Sequence, residues 1–352
     1  MLIKMDNSIP APLPFATVFL VPLGATKILE EEEGVSPENL RHHIEALSAI
    51  GERSAYASNM DGIKKAKDYI TQKLTDYGYS FYAQNFVVER RLPDGIKNNF
   101  SITSACRQGE ASDKIKIEIQ GKPIIIFDRI FCLPASPKGK EVSNIIVRIP
   151  GRSSSKKIIL GAHYDSKGHG ANDNASGVAV LLEVVRLFSK SKPEFTLEIV
   201  FFVGEELGNL GSKYYLGQMS TEEKLKIGGV IIVDMVGNNK SDEEGAPLEN
   251  LDIMYSKEAA KLAKDIEKAI TKDGIIETRL SFISGEASDD DEFREEGIPT
   301  ILFSEDTPDE LRHQNDCFNR PCDTPDKIDY VFLQQATEVI ASSVDFLTGI
   351  KK

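Results

Sequence analysis

Short apolar runs that alternate with helix-period segments, several closing on acid or imidazole, constrain this chain more than any other feature. Lys157–Gly161, Leu197–Val203 and Gly229–Val233 read as strands, and the last two are almost wholly apolar. A strand covered by helices on both faces has that composition, because neither side meets water. Between the first two lies Ala175–Phe188, with Val178, Leu181, Leu182, Val185 and Phe188 at helical spacing, and Asn209–Met219 reads as a second helix. Upstream, Ser36–Ile50 and Asn59–Tyr77 are helical, the latter through Ile63, Ala66, Tyr69, Ile70 and Leu74. Phe81–Val88 and Lys114–Ile119 alternate like strands, and Ile145–Ile149 is a further strand. Lys257–Ile270 is helical, Thr300–Phe303 a short strand and Asp329–Leu347 a closing helix. The alternation predicts an α/β fold: a mostly parallel central sheet with helices on both faces.

That reading fixes where the polar groups fall. His163 and Asp165 follow the first strand, Glu205 and Glu206 the second, and Asp234 the third. In an open α/β sheet, ligands gather outside the carboxyl ends of the strands. Three strand ends therefore bring imidazole and carboxylates to one edge, a donor set suited to a hydrolytic zinc site with one carboxylate left over as a base. The chain has 352 residues, 41% of them hydrophobic and 28% charged, enough for one large core. Its net charge of −13 argues against a nucleic-acid partner. Residues 1–35 read as an extension, Pro-rich and then acidic at Glu30–Glu33. Its apolar stretch Phe15–Ala25 lies among Pro10, Pro12, Pro14 and Pro22, a poor secretory signal that leaves the compartment open. No apolar run is long enough to span a bilayer. Of the four cysteines, Cys317 and Cys322 are close enough to close a small loop under oxidising conditions, and Cys106 and Cys132 suit buried thiols.

Five stretches, in order, carry a family resemblance: Gly161-Ala162-His163-Tyr164-Asp165-Ser166, Ala171-Asn172-Asp173-Asn174-Ala175-Ser176-Gly177, Gly204-Glu205-Glu206-Leu207-Gly208, Val233-Asp234-Met235-Val236-Gly237 and Cys322-Asp323-Thr324-Pro325-Asp326-Lys327-Ile328. The chain resembles the M28 family of zinc exopeptidases, the co-catalytic dizinc aminopeptidases, from about Ser143 to Leu347. The resemblance implies a single peptidase domain over residues 36–352 with zinc-exopeptidase (phosphorylase/hydrolase-like) architecture. It implies removal of N-terminal amino acids from peptides with a free N-terminus. In that scheme His163 and Asp234 bind one zinc, Asp173 bridges two, and Glu206 binds the second. Glu205 is then the general base, and Asp165 the carboxylate that orients His163. The resemblance slightly favours a secreted or periplasmic location.

Two departures stand out. Asn319 occupies the position, four residues before Asp323, where the family usually places a metal-binding His. An amide oxygen lies outside the usual zinc donor set. Three readings stay open: Asn319 ligates weakly, His313 substitutes for it, or the second position is empty. The run Ser288-Asp289-Asp290-Asp291-Glu292-Phe293 replaces a family Ser-Asp-His, and reads as a solvated acidic loop at the substrate rim. His169, in a glycine-rich turn, reads as exposed. Two other functions compete: a one-zinc glutaminyl cyclase-like enzyme, disfavoured because the chain has no tryptophan, and a degenerate binding domain, disfavoured because Glu205 and four ligand candidates are kept.

Overall fold

The computed structural model describes residues 34–55, 60–88, 115–119, 122–126, 140–238, 250–270, 275–283, 285, 287–305 and 317–350. The N-terminal extension, Cys106, Cys132 and His313 lie outside the described residues. An eight-stranded sheet runs in the order β1 (Phe81–Val88), β4 (Lys140–Ile149), β6 (Phe195–Phe202), β5 (Ser153–His163), β7 (Ile227–Val233), β10 (Thr300–Ser304), β8 (Asn250–Tyr255) and β9 (Glu277–Phe282). A separate antiparallel pair joins β2 (Ile115–Ile119) to β3 (Lys122–Ile126). The four central strands, β6, β5, β7 and β10, are mutually parallel. β1 and β4 on one side and β8 on the other pair antiparallel to their inner neighbours, so the sheet is mixed.

The helices are α1 (Pro37–Ser48), α2 (Asp61–Asp76), α3 (Ala175–Leu187), α4 (Leu210–Gly217), α5 (Thr221–Leu225), α6 (Ala260–Ile270), α7 (Asp290–Glu295) and α8 (Tyr330–Thr348). Alternation along the strands sorts the core into two layers. Leu197, Ile199 and Phe201 of β6 point into the larger layer, with Leu40 and Ile44 of α1, Leu181 of α3, Ile266 of α6 and Leu333 of α8. Val200 and Phe202 point the other way, against Tyr215 and Leu216 of α4 and Phe293 of α7. Both faces of β6 are thus dry from Leu197 to Phe202, which explains its almost wholly apolar run; the one charge in it, Glu198, is buried against Arg148 and Lys157. Helix α3 is buried from Ala175 to Val185, so its apolar residues wrap the whole cylinder rather than one stripe.

The sequence reading missed β3, β8, β9, α5 and α7. Strand β8 carries a charge at its middle, Asp252, which is buried only because Arg279 of β9 grips it through two hydrogen bonds of 2.7 and 2.8 Å. A charge inside an apolar strand pattern hides that pattern until its partner strand is known. Among the described residues, no helix is long and apolar enough to cross a membrane.

His43 shows how the helical layer tolerates a buried polar ring. It is 1% exposed, and its two ring nitrogens meet Tyr69 Oη at 2.7 Å and Tyr77 Oη at 3.2 Å. Burial, reinforced by the positive Lys73, His42 and Arg186, pushes its pKa down to about 3. The unfolded chain therefore binds a proton below about 6.5 that the folded chain refuses until about 3. Stability must rise with pH through that window and be lost as pH falls through it. Across the interval this linkage is worth on the order of 3–5 kcal/mol. Urea unfolding between pH 7 and 4 should show a shallower loss of stability for His43→Gln than for the wild type.

Candidate metal centre

The centre lies where the parallel strands end. His163 is the last residue of β5, Asp234 follows β7, and Glu205 and Glu206 follow β6. Asp173 precedes α3, and Asn174 caps that helix by accepting from Gly177 N at 2.9 Å. Gly204 carries φ +86 where the chain leaves β6 and turns sharply into the 3-10 segment Glu205–Leu207. A side chain is strained in that left-handed conformation, so glycine is the residue that lets the two glutamates turn back toward His163.

His163 is fully buried. Its Nε2 lies 3.4 Å from Asp173 Oδ1, 3.4 Å from Asp234 Oδ1 and 3.9 Å from Glu205 Oε2. Among the described His, Cys, Asp and Glu side chains, His163, Asp173 and Asp234 form the group that could hold a metal, their ligand atoms all within 4.8 Å of one another. Both His163 Nε2 and Asp234 Oδ1 are buried without a hydrogen-bond partner. Tetrahedral zinc with bonds of about 2.0–2.1 Å needs donors about 3.3–3.4 Å apart, which is the spacing His163 presents to both aspartates. The donor set, the spacing and the two orphaned atoms all fit one zinc ion.

The surrounding shell holds these donors in place. Asp234 Oδ2 accepts from Ser288 Oγ at 2.7 Å, leaving Oδ1 free to face the imidazole. Asp323 takes the backbone N–H groups of Asn172 and Asp173 at 2.9 and 3.0 Å, which fixes the loop before α3. Asp165 does this work differently from the expectation. The His163 Nδ1 hydrogen bond runs to the Asp165 backbone carbonyl at 3.1 Å, while the carboxylate stays 3.6 Å away. That carboxylate instead accepts the backbone N–H groups of Glu205 and Glu206, each at 3.3 Å. One residue therefore ties the end of β5 to the turn after β6.

Electrostatics describe a site short of positive charge. Burial disfavours the charged His163 ring, yet Asp234 and Glu205, with Asp165 and Asp173 beside it, hold its pKa well above the usual value. Burial pushes Glu205 well above the ordinary carboxylate range; His163 opposes this, while Glu206, Asp234 and Asp173 add to it. Burial and Asp173 raise Glu206 to about 8 against the pull of Lys167. Packed acids of this kind are relieved by a bound cation.

The remaining candidates separate. Glu206 lies outside the three-residue group; its Oε2 pairs with Lys167 Nζ and its Oε1 accepts from Lys167 N at 3.3 Å. Asn319 sits in the loop closed by the Cys317–Cys322 disulfide (Cα–Cα 5.2 Å), with φ +58 and a buried Oδ1 that has no partner. His313 lies outside the described residues. His169 is exposed, as expected, with Nδ1 against Ser48 O at 3.0 Å.

The acidic run Ser288–Phe293 is not a solvated loop. It enters α7, and Asp289 and Asp290 are fully buried. Arg294, one turn on, takes Asp290 Oδ2 at 2.6 Å and also pairs with Asp291, and Ser212 Oγ donates to Asp289 Oδ1 at 2.5 Å. Arg294 at i+3 and i+4 from Asp291 and Asp290, with Lys213 of α4 pairing Glu292 at 2.8 Å, compensates the charges that the run carries inward.

Arg53 is the residue sequence reading missed. It is fully buried and donates to four carbonyls: Tyr164 O (2.9 Å), Leu47 O (3.0 Å), His169 O (2.7 Å) and Gly170 O (3.0 Å). Burial lowers its pKa to about 10, with Asp165, Asp323, Asp173 and Glu206 holding its charge. Gly170 has to lack a side chain, because a Cβ there would fall 2.5 Å from Asp173 O and 2.7 Å from Arg53 Nη2. A lone arginine more than a hundred residues ahead of the motifs gives no local signal of this clamp.

The architecture is an α/β sheet with polar donors at its central strand ends. The model for peptidase family M28 matches residues 144–344, more than half of the chain, and the chain belongs to that family. It is 30% identical over 191 residues to aminopeptidase YwaD of Bacillus subtilis (strain 168), covering 53% of this chain and 40% of that protein. It is 25% identical over 222 residues to a "Probable zinc metalloprotease" of Pyrenophora teres f. teres (strain 0-1), covering 59% of this chain and 38% of that one. The fold matches that of BSAP, a zinc aminopeptidase from Bacillus subtilis, with a TM-score of 0.68 at 20% identity over 92% of this chain and 97% of that one. The chain spans less than half the length of the curated relatives it matches.

Replacing Arg53 with Met should cost about 3–5 kcal/mol, the usual cost of breaking a buried charge network, measured by urea unfolding. Arg53→Lys should recover only part of this, since an ammonium cannot reproduce the planar fork.

Proposed function

We propose that this chain hydrolyses peptide bonds with a zinc ion held by His163, Asp173 and Asp234, releasing the N-terminal amino acid of peptides with a free α-amine. The observation that carries the reading is the pair of buried, unpartnered donors, His163 Nε2 and Asp234 Oδ1, 3.4 Å apart with the Glu205 carboxylate beside them. Membership of a peptidase family and the zinc metalloprotease and aminopeptidase named among its relatives support it. Zinc bound at such a site acidifies water and polarises a carbonyl.

Glu205 is the group positioned to move the proton. It lies 3.9 Å from His163 Nε2, and its backbone N–H is anchored on Asp165. Its side chain is 18% exposed, so it can meet both water and substrate. In this reading Glu205 takes the proton from the attacking water and returns it to the leaving amine. Ser288 and Asp323 hold Asp234 and Asp173 in place, and Asp165 holds the ring of His163 through its carbonyl. The surplus of carboxylates around the site supplies an anionic partner for an α-ammonium group.

The test is release of free amino acids from a panel of unblocked peptides, after chelation and again with zinc restored. The expected result is zinc-restored release from unblocked peptides and none from their N-acetylated forms. Equal release from the acetylated forms rejects the free-amine requirement, and no release with any metal rejects the peptidase. Glu205→Gln should lower kcat about 10²–10⁴-fold, the usual contribution of a general base, while zinc content measured by mass spectrometry stays at the wild-type value.

A further inference from the structure

The second cation position of the centre is built differently from the first. At the first, the ligand atoms of His163, Asp173 and Asp234 lie within 4.8 Å of one another, two of the donor atoms there being buried and unpartnered. At the second, both carboxylate oxygens of Glu206 are already engaged by one residue: Oε2 by Lys167 Nζ and Oε1 by Lys167 N. The Glu206 side chain is 5% exposed and that of Lys167 22%, so the pair is largely withdrawn from water. Among the described residues, the family's fifth-ligand position is occupied by Asn319, a neutral amide. The loops that carry Lys167 and Asn319 adjoin in space: a Cβ at Gly168, next to Lys167, would lie 3.6 Å from both Arg320 O and Pro321 Cα, just after Asn319.

We propose that the ammonium group of Lys167 takes the place of a second metal ion, pairing with Glu206, so that the chain holds one zinc rather than two. The inference rests on the zinc reading above. A dication binds where it finds anionic or imidazole donors that no other cation has claimed. Glu206 does not meet that condition, and an amide oxygen from Asn319 cannot compensate for it. Lys167 is bound covalently to the chain and carries a full positive charge, so it neutralises Glu206 without any metal in solution. Asp173 then has one metal to bind, through the oxygen that faces His163 Nε2. In this arrangement Lys167 is a positioning residue. It balances the carboxylate and fixes the loop after β5, and takes no part in bond breaking.

The prediction is a zinc count, independent of turnover. Full-length protein dialysed against excess zinc and then freed of loose metal should retain one zinc per chain by mass spectrometry. Asn319→His alone should still retain one, because Lys167 continues to hold Glu206. The double variant K167M/N319H should retain two, and K167R/N319H one, because arginine keeps the charge. Retention of the first zinc in each variant reports that the centre has folded. Two zinc ions on the wild type overturn the inference directly, without recourse to any variant. Two on Asn319→His, or one on K167M/N319H, also overturn it, by showing that Lys167 does not control the second position. No zinc on the wild type would instead overturn the metallopeptidase reading on which the inference rests.

Discussion

Everything at the active edge of this protein depends on how it compensates five carboxylates gathered around one buried imidazole. Asp165, Asp173, Glu205, Glu206 and Asp234 crowd His163, and Asp165 and His163 are fully withdrawn from water. Isolated charges buried in that way cost several kcal/mol each, so the fold must supply cations, hydrogen bonds or metal in proportion. The compensation is divided. Backbone N–H groups serve Asp165 and Asp323, Arg53 lies behind the cradle, and Lys167 serves Glu206. Among the buried atoms left without a hydrogen-bond partner, His163 Nε2 and Asp234 Oδ1 are the two that face each other. Two unpartnered donors facing each other at metal-binding distance are the feature of this edge that a bound cation would satisfy.

The sheet makes this division possible. Parallel strands β5, β6 and β7 end at the same edge, so residues far apart in the chain arrive side by side with fixed backbones. The loops beyond those ends are then laced together. Asn172 Nδ2 donates to Glu305 Oε1 at 2.7 Å, Asn174 Nδ2 to Val233 O at 2.9 Å, and Gly237 N to Asn172 Oδ1 at 2.9 Å. This lacing holds donors to the sub-ångström tolerance that metal binding needs, with rigid elements behind each one.

The central strands and most of the helices could be read from the sequence because burial on both faces imposes a local signature. β6 shows it as an apolar run broken only by Glu198, and α3 as a helix buried around its whole circumference from Ala175 to Val185. The outer strand β9 and its neighbour β8 could not, because Asp252 and Arg279 disguise each other's strand and only pairing reveals them. The same physics explains the acidic run at Ser288–Phe293. Its charges read as solvated until Arg294 and Ser212 are known to be within reach.

At the site, the sequence by itself determined which chemical groups stand at which strand ends, because a strand's period and its terminating residue are local properties. His163, Glu205, Glu206 and Asp234 are legible on that ground, and Asp173 through the family resemblance. Only the tertiary structure decided how those groups divide. It drew His163, Asp173 and Asp234 to metal-binding distance, turned the Asp165 carboxylate toward the Glu205–Glu206 backbone, and handed Glu206 to Lys167. It also placed Arg53 behind them from far upstream in the chain. The physical reason is that charge compensation acts through space: it depends on distance and burial, neither of which separation along the chain encodes.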